Sequence, residues 1–291
     1  MSLLIGFDDT PPGLDALALG LQLAGETGDP VTVATAYPDD EHGLMVAMND
    51  RQWVDDVRRV AERKLDRARE VVGDRPDVRF RTLGPSSASR ALHEEAERTA
   101  PHAIVVGSSE HAGLGRVSPG STVERLLHGA PCPVAVAPEG YREHAHAVRQ
   151  IAVAYDGAPE SDDGLDVAVR LGRALGAGLR LVAVARRTDQ ALQSAVDKAL
   201  GALPPELQAE GALLVEDDVV ATLAELPQPR PDLLVCGSRG YGPVRQILLG
   251  SVSTRVIRRA AYPVLVVPRT GVRTDPSGDP PRTAQPTEEA S

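Results

Sequence analysis

The residues best suited to chemistry lie in one glycine-rich run in the second half of the chain. Gly237-Ser238-Arg239-Gly240 is followed, nine residues later, by Gly250-Ser251. Because glycine has no Cβ, Gly237 and Gly240 permit a sharp turn and a close approach of a ligand to the backbone. Two glycine clusters at this spacing predict a binding site and argue against a plain turn.

The second cluster, Gly250-Ser251, is expected to open a helix. The free N–H groups and the positive dipole end of a helix N-terminus favour phosphate. The Ser251 hydroxyl would then either cap the helix or donate to a phosphate oxygen. The alternative interpretation is a glycine-rich turn in which Ser251 is an ordinary cap.

The first half of the chain carries an altered version of the same run. Gly107-Ser108-Ser109-Glu110 places Glu110 where the second glycine stands in the other copy, whereas Gly120-Ser121 is intact. A carboxylate beside phosphate repels it by about 1 kcal/mol or more. We therefore expect this copy to be weaker or empty. Ser121 with Glu124 also fits a capping box, a structural explanation for that serine.

Other motifs of catalysis are missing from the sequence. There is no Gly-Lys pair of a Walker loop, no Gly-x-Ser-x-Gly elbow, and no histidine spacing suited to a metal on a helix. The sequence predicts no catalytic residue, no metal site and no dedicated enzyme. Cys132 and Cys236 are expected to be buried thiols.

The chain repeats itself. The apolar run that ends in Asp8 recurs as the run that ends in Asp156, and the two glycine runs follow in the same order. We predict two copies of one domain, at residues 1–138 and 150–268, joined by a polar linker at 139–149. Residues 269–291 are rich in proline, threonine and charge, and a disordered tail is expected there.

Each copy alternates short apolar runs with helical patterns, which is typical of β-α-β units and a parallel sheet. The predicted strands lie near residues 3–8, 31–37, 78–83, 103–108, 133–137, 151–156, 179–185, 212–215, 232–237 and 263–267. The predicted helices lie near residues 13–27, 50–73, 87–99, 120–129, 161–176, 190–202, 217–226 and 250–260. The second copy is shorter in its second helix region.

Composition excludes some classes of partner. Lys+Arg number 31 and Asp+Glu number 41, for a net charge of −10. Such an acidic chain is not expected to bind nucleic acid or an anionic membrane. No signal peptide or membrane span is indicated, so a cytoplasmic protein is predicted. Lysine occurs only at Lys64 and Lys198, and this preference for arginine suggests a GC-rich bacterial genome.

The sequence resembles the universal stress protein family over nearly all of residues 1–268. The resemblance rests on the Asp that ends strand one, on the Gly-x-x-Gly-x9-Gly-Ser run, and on the endings Ala130-Pro131-Cys132-Pro133-Val134 and Ala261-Tyr262-Pro263-Val264. It implies a tandem protein of two flavodoxin/Rossmann-like domains. Each would be a five-stranded parallel sheet in the order 3-2-1-4-5, with helices on both faces.

The resemblance also implies a site for ATP, with Mg²⁺ held through its phosphates. Asp156 would reach toward the adenosine, and Val184 would line the adenine pocket. Phosphate contacts are expected from Gly237, Arg239, Gly240, Gly250, Ser251 and Ser253. The weaker site in the first copy would use Asp8, Gly107, Gly120 and Ser121.

The leading hypothesis is an ATP-binding regulator of the stress response, whose ligand stabilises one conformation for an unknown partner to recognise. The alternatives are an interaction protein with vestigial sites and a weak ATPase.

The last strands of the two copies are apolar and are expected at sheet edges. Bare edges invite aggregation. We therefore predict that Val134–Ala137 pairs with Val264–Val267, making an internal pseudo-dimer. Homodimerisation of whole chains stays open.

Overall fold

A computed structural model describes residues 2–25, 29–37, 51–109, 120–238 and 251–268, with only the backbone described at 51–54, 251 and 254. Ten strands within these ranges form one sheet. They are β1 (Leu3–Gly6), β2 (Val31–Ala36), β3 (Val78–Leu83), β4 (Ala103–Gly107), β5 (Val134–Ala137), β6 (Gln150–Ala154), β7 (Gly178–Ala185), β8 (Ala209–Val215), β9 (Leu233–Gly237) and β10 (Val264–Val267).

The strand order shows how the two copies are joined. It runs β3-β2-β1-β4-β5-β10-β9-β6-β7-β8, and every pair is parallel except β5 with β10. The N-terminal half (β1–β5) and the C-terminal half (β6–β10) thus each have the order 3-2-1-4-5. The predicted fold class is confirmed, while the exact domain boundaries stay a prediction.

Helices cover both faces of the sheet. They are α1 (Pro11–Ala24), α2 (Arg51–Val72), α3 (Ala88–Thr99), α4 (Ser121–Gly129), α5 (Pro159–Leu175), α6 (Gln190–Gly201), α7 (Val219–Ala224) and α8 (Ser251–Ile257). One core joins α1, α2, α5 and α6 to the sheet, through residues such as Leu17, Leu65, Leu165 and Val196. The other core joins α3, α4, α7 and α8 to the opposite face.

The antiparallel pairing of β5 with β10 confirms the predicted pseudo-dimer. Val136 lies opposite Val264, and Ala135 lies opposite Leu265. All eight residues of the two strands are buried. A surface ion pair, Arg258 to Glu124 at 2.7 Å, also joins the two halves. The strands of one half run opposite to those of the other. The carboxyl ends of the two sets of strands therefore point in opposite directions along the strand axis.

Local capping moved several predicted boundaries. Helix α1 begins at Pro11, before the predicted residue 13, because Thr10 is its cap and proline is favoured in the first turn. Helix α7 is shorter than predicted, since Asp218 caps it through the N–H groups of Val220 and Ala221. Strand β8 begins at Ala209, earlier than predicted. The sequence did not indicate its first residues because they are exposed and have no alternating apolar pattern.

The linker at 139–149 is held at both ends. Buried Asp15 of α1 accepts hydrogen bonds from Gly140 N at 2.8 Å, Arg142 N at 2.9 Å and Arg142 Nη1 at 3.0 Å. Tyr141, in a short 3₁₀ helix at Tyr141–Glu143, is buried in the core beside it. The composition of the linker predicted polarity, but not these contacts.

The other end of the linker depends on Asp232. Its carboxylate accepts from Arg149 N at 2.8 Å and Gln150 N at 2.9 Å, and it lies 2.7 Å from His146 Nε2. Hydrogen bonding to the His144 carbonyl, and then to Asp232, raises the pKa of His146. The folded state therefore favours the imidazolium.

We expect Asp15→Ala to lower the free energy of unfolding by about 2–4 kcal/mol, because three donors then lose a buried acceptor. Urea denaturation measures this loss. The matched control is Asp66→Ala on α2, which removes an exposed carboxylate paired with Arg69 and should change little. Equal effects of the two substitutions would show that the buried contact does not hold the linker.

His146 should make stability depend on pH. Since its folded pKa is raised, its contribution is fully present below the unfolded value of about 6.5 and is lost as pH rises through the folded pKa. We expect His146→Ala to lower Tm by about 1–2 °C at pH 5.5 and not at pH 9. His144→Ala is the control; a loss that grows with pH would reverse the assigned sign.

Candidate functional site

A cavity of about 610 Å³ opens at the carboxyl ends of β6, β7 and β9. In the C-terminal half, β6 has β7 on one side and β9 on the other, and the helices that lead into these two strands, α5 and α7, pack on opposite faces of the sheet. Ligands of open α/β sheets bind at such a switch point. This C-terminal cavity is lined by Asp156, Val184, Gly237 and Ser253 among the predicted site residues.

The end of β6 supplies a buried phenol and an exposed carboxylate. The Tyr155 hydroxyl donates to Asp162 Oδ1 at 2.8 Å. Burial first, and then this hydrogen bond, raise the pKa of Tyr155 to about 12, so the phenol is protonated at neutral pH. Asp156 is exposed at the cavity, and its Oδ1 accepts from Ala158 N at 3.1 Å. That bond shapes the turn into α5 and orients the carboxylate.

Gly237 has a packing role that the sequence did not indicate. A Cβ at this position would lie 2.0 Å from the Glu160 carbonyl oxygen, in the first turn of α5. Gly107 has the same relation to the Pro12 carbonyl oxygen of α1, also at 2.0 Å. The first glycine of each run therefore lets a helix backbone pack directly on the strand end, in addition to any contact with a ligand.

The Ser253 hydroxyl forms a hydrogen bond within the protein. It is buried, and its hydroxyl donates to Gly237 O at 2.8 Å, which joins α8 to the end of β9. Its proton is therefore used by the backbone, while its oxygen stays at the cavity wall. Ser251 is the first residue of α8, and its side chain is not described. Arg239, Gly240 and Gly250 lie outside the described residues.

An apolar slot forms one wall of the cavity. It is built from Val182 and Val184 of β7 and from Val220 and Leu223 of α7. Val184 is half-buried and points to the same face as buried Val182. Cys236 of β9 also lines the cavity, and burial raises the pKa of its thiol to about 12. The slot suits a flat apolar group, and the Cys236 thiol in the same cavity is un-ionised.

Charged residues at the cavity were largely missed from the sequence. Arg186 follows β7 and Arg255 lies on α8, while Asp217 and Asp218 follow β8. The N–H of Ala221, and then that of Val220, lower the pKa of Asp218. With Asp156 and Glu160, the described lining holds four carboxylates and two guanidinium groups. For Arg186, Asp217 and Asp218, the position just after a strand end was the available signal in the sequence.

The N-terminal half has a smaller cavity at the carboxyl ends of β1, β2 and β4. Its volume is about 350 Å³, and the structure brings Asp8, Gly107, Gly120 and Ser121 together in its wall. The Asp8 carboxylate accepts from Thr10 Oγ1 at 2.5 Å. Glu110, the reason to expect a weak site, lies outside the described residues.

The expected capping box at Ser121 does not form. Helix α4 begins at Ser121 itself, and Gly120 occupies the cap position with extended backbone and no capping side chain. Glu124 forms its ion pair with Arg258. The cap interpretation of Ser121 is therefore wrong, and its exposed side chain faces the N-terminal cavity.

The part of the chain that the structure describes contains no group of three or more histidine, cysteine, aspartate or glutamate side chains that could hold a metal ion. It also contains no helix long and apolar enough to cross a membrane. Cys132 and Cys236 are buried there as free thiols, as predicted.

Known proteins share this sequence pattern. The model of the universal stress protein family matches residues 1–138 and 214–268, more than half of the chain. The chain belongs to that family. The stretch between the matched segments contains β7 and α6, the region where the C-terminal half is shortened.

Curated relatives in the family are of similar length. A universal stress protein of Mycobacterium tuberculosis is 25% identical over 291 residues, covering 92% of this chain and all of the relative. One from Mycolicibacterium smegmatis is 32% identical over 247 residues, covering 71% of this chain and 76% of the relative.

A solved structure shows the same fold. The crystal structure of a universal stress protein from Archaeoglobus fulgidus has a TM-score of 0.64 at 21% identity, covering 91% of this chain and 95% of that one.

Gly237→Ala should displace α5 from β9, because its Cβ would overlap the Glu160 carbonyl. We expect the free energy of unfolding, measured with urea, to fall by about 1–3 kcal/mol or more. The control is Gly201→Ala on α6, where a Cβ meets nothing within 4 Å and stability should hold or rise. An unchanged Gly237→Ala protein would contradict the packing role.

Proposed function

We propose that this universal stress protein binds an adenine nucleotide, with ATP as the physiological ligand, in the C-terminal cavity. The observation that carries the proposal is the cavity of about 610 Å³ at the switch point, which brings Asp156, Val184, Gly237 and Ser253 together. Its volume lies within the range of small-molecule sites. Four residues far apart in sequence thus surround one space.

The apolar slot and the β6 carboxylate fit the nucleoside part of the ligand. Val182, Val184 and Leu223 offer a surface on which a flat base loses little by leaving water. Asp156 offers acceptor oxygens to ribose hydroxyls, since an ionised carboxylate only accepts hydrogen bonds. This assignment supports the roles expected for Asp156 and Val184.

The charges of the cavity fit a nucleotide bound together with a divalent cation. Arg186 and Arg255 would attract phosphate oxygens, and Gly237, Arg239, Gly240, Gly250 and Ser251 complete the proposed phosphate contacts. Four carboxylates in the described lining oppose a bare triphosphate. Mg²⁺ on the phosphates would reduce that repulsion.

The proposed action is regulatory, with no catalytic residue. The described lining of the cavity contains no histidine or lysine, and its serines, Ser161 and Ser253, donate to backbone carbonyls. Bound nucleotide would favour one arrangement of the strand ends, which an as yet unidentified regulatory partner would recognise.

The setting proposed for this regulator is the bacterial stress response in the cytoplasm, where ATP is present and thiols such as Cys132 and Cys236 stay reduced. Domains at 1–138 and 150–268, a tail at 269–291, and possible homodimerisation remain part of the proposal.

Filling the slot tests the proposal. We expect Val184→Trp to weaken ATP binding at least tenfold, about 1.4 kcal/mol, in calorimetric titrations of the full chain with Mg²⁺. The matched control is Val215→Trp, at an exposed position on the neighbouring strand β8 that does not line the cavity.

The native protein should show one strong ATP site per chain. Equal affinities of the two tryptophan variants would place the nucleotide elsewhere. If the native protein does not bind ATP, the interaction protein with vestigial sites is correct. If the native protein releases phosphate from ATP and Val184→Trp abolishes that release, the result would instead favour the weak ATPase.

A further inference from the structure

The ten-stranded sheet has two outer edges, β3 and β8. Within the described ranges, no further strand pairs with the outer side of either one. Strands β5 and β10 already pair with each other inside the chain, so a second molecule cannot add a strand there. Any further strand pairing must therefore use β3 or β8.

The backbone of β8 (Ala209–Val215) divides its hydrogen-bonding groups between β7 and the outer edge. The carbonyl of Gln208 accepts from Leu179 N at 2.8 Å, and Glu216 N donates to the Ala185 carbonyl at 2.9 Å. Since the N–H and C=O groups of successive strand residues point to opposite sides, the even-numbered residues face β7. The residues whose N–H and C=O groups face outward are Ala209, Gly211, Leu213 and Val215.

The two edges differ in how they are protected. Strand β3 has two exposed arginines, Arg79 and Arg81, and charged side chains discourage pairing at a sheet edge. Strand β8 contains neither proline nor lysine. Its one charged residue, Glu210, lies 3.5 Å from Arg180 Nε of the neighbouring strand β7. The β8 edge is therefore the one that is open to pairing.

Strand β8 also ends in an exposed apolar side chain. Val215 is 51% exposed, and the other exposed large hydrophobic residues of the described chain, Val60 and Val71, lie on α2. The first residues of the strand, Ala209 to Gly211, are exposed as well. An outward-facing backbone next to an exposed valine is a surface that another strand would cover.

We propose that two copies of this chain pair through β8, antiparallel, about a two-fold axis at Ala212. Such a contact uses the same surface of both copies and closes on itself. All seven residues of the strand then pair. Val215 lies opposite the partner's Ala209, and Leu214 lies opposite the partner's Glu210. This inference specifies the homodimerisation proposed above and does not depend on nucleotide binding.

Charge selects this register among those that keep the same backbone pairing. An axis at Glu210 would place two glutamates opposite each other, and an axis at Leu213 would place Glu210 opposite the partner's Glu216. Like charges directly opposite are destabilising. An axis at Gly211 would leave Val215 beyond the partner's strand. The axis at Ala212 avoids all three faults.

A cysteine on the proposed axis gives a direct test. The backbone groups of Ala212 are used by β7, so Ala212 and its copy would form a non-hydrogen-bonded pair with Cα atoms about 4.5 Å apart. That distance suits a disulfide. Ala212→Cys in the full chain should therefore form a disulfide-linked dimer under mild oxidation, seen on a non-reducing gel. The native Cys132 and Cys236 are buried.

Two matched variants control for random cross-linking. In this register Leu214→Cys, on the same face of the same strand, lies about 14 Å from its own copy along the strand, which is too far for a disulfide. Thr82→Cys lies on the other edge strand, β3. The expected result is a dimer from Ala212→Cys alone. No dimer from Ala212→Cys, or equal cross-linking of either control, would overturn the proposal.

Sedimentation equilibrium measures the dimer without cross-linking. The native chain should dimerise, and Val215→Lys should weaken the dimer about tenfold or more, because a charge then replaces the apolar contact. The matched control is Val71→Lys on α2, where the valine is 47% exposed. A native monomer, or a dimer that Val215→Lys leaves intact, would overturn pairing through β8.

The same variants separate this proposal from the proposed ATP site. Val215 does not line the C-terminal cavity, so Val215→Lys should bind ATP as the native chain does. Failure of ATP to bind a native chain that dimerises through β8 would refute only the ATP proposal. ATP binding by a native chain that stays monomeric would refute only the β8 pairing.

Discussion

The structure depends on one short antiparallel pairing, β5 with β10. Each half would otherwise end in a bare apolar edge of four residues, with unpaired N–H and C=O groups. Pairing Val134–Val136 with Val264–Val266 uses both edges at once and makes a single sheet. The two cores then extend across both halves on either face of that sheet. A single chain thus contains both halves in one continuous sheet.

The same pairing separates the two cavities. Because β5 and β10 run in opposite directions, the carboxyl ends of the strands point in opposite directions in the two halves. The two cavities therefore open at opposite ends of the strands. Each can therefore differ without disturbing the other. Lys64 of α2 lines one cavity, whereas Arg186, Arg255 and an excess of carboxylates line the other.

The sequence predicted those features that arise from local pattern and from the family resemblance. Periodicity located the strands and helices, and the resemblance supplied their order. The sequence did not predict contacts between residues far apart along the chain. Examples are the hydrogen bonds of Asp15 with the linker and the close packing of Gly237 on the Glu160 carbonyl. The capping box at Ser121 failed because Gly120 took the cap position. Lys64 could not be placed from sequence, since its distance from the cavity depends on where α2 begins to pack.

Photoaffinity labelling with 8-azido-ATP, followed by peptide mapping, tests the central claim most directly. The label reports where the base lies in the full chain, and competition with ATP shows that the site is specific. The account predicts ATP-protected labelling of the β7 peptide around Val182–Arg186 or of the α7 peptide around Val219–Leu223. Labelling confined to the N-terminal half, or labelling that ATP does not reduce, would contradict nucleotide binding in the C-terminal cavity.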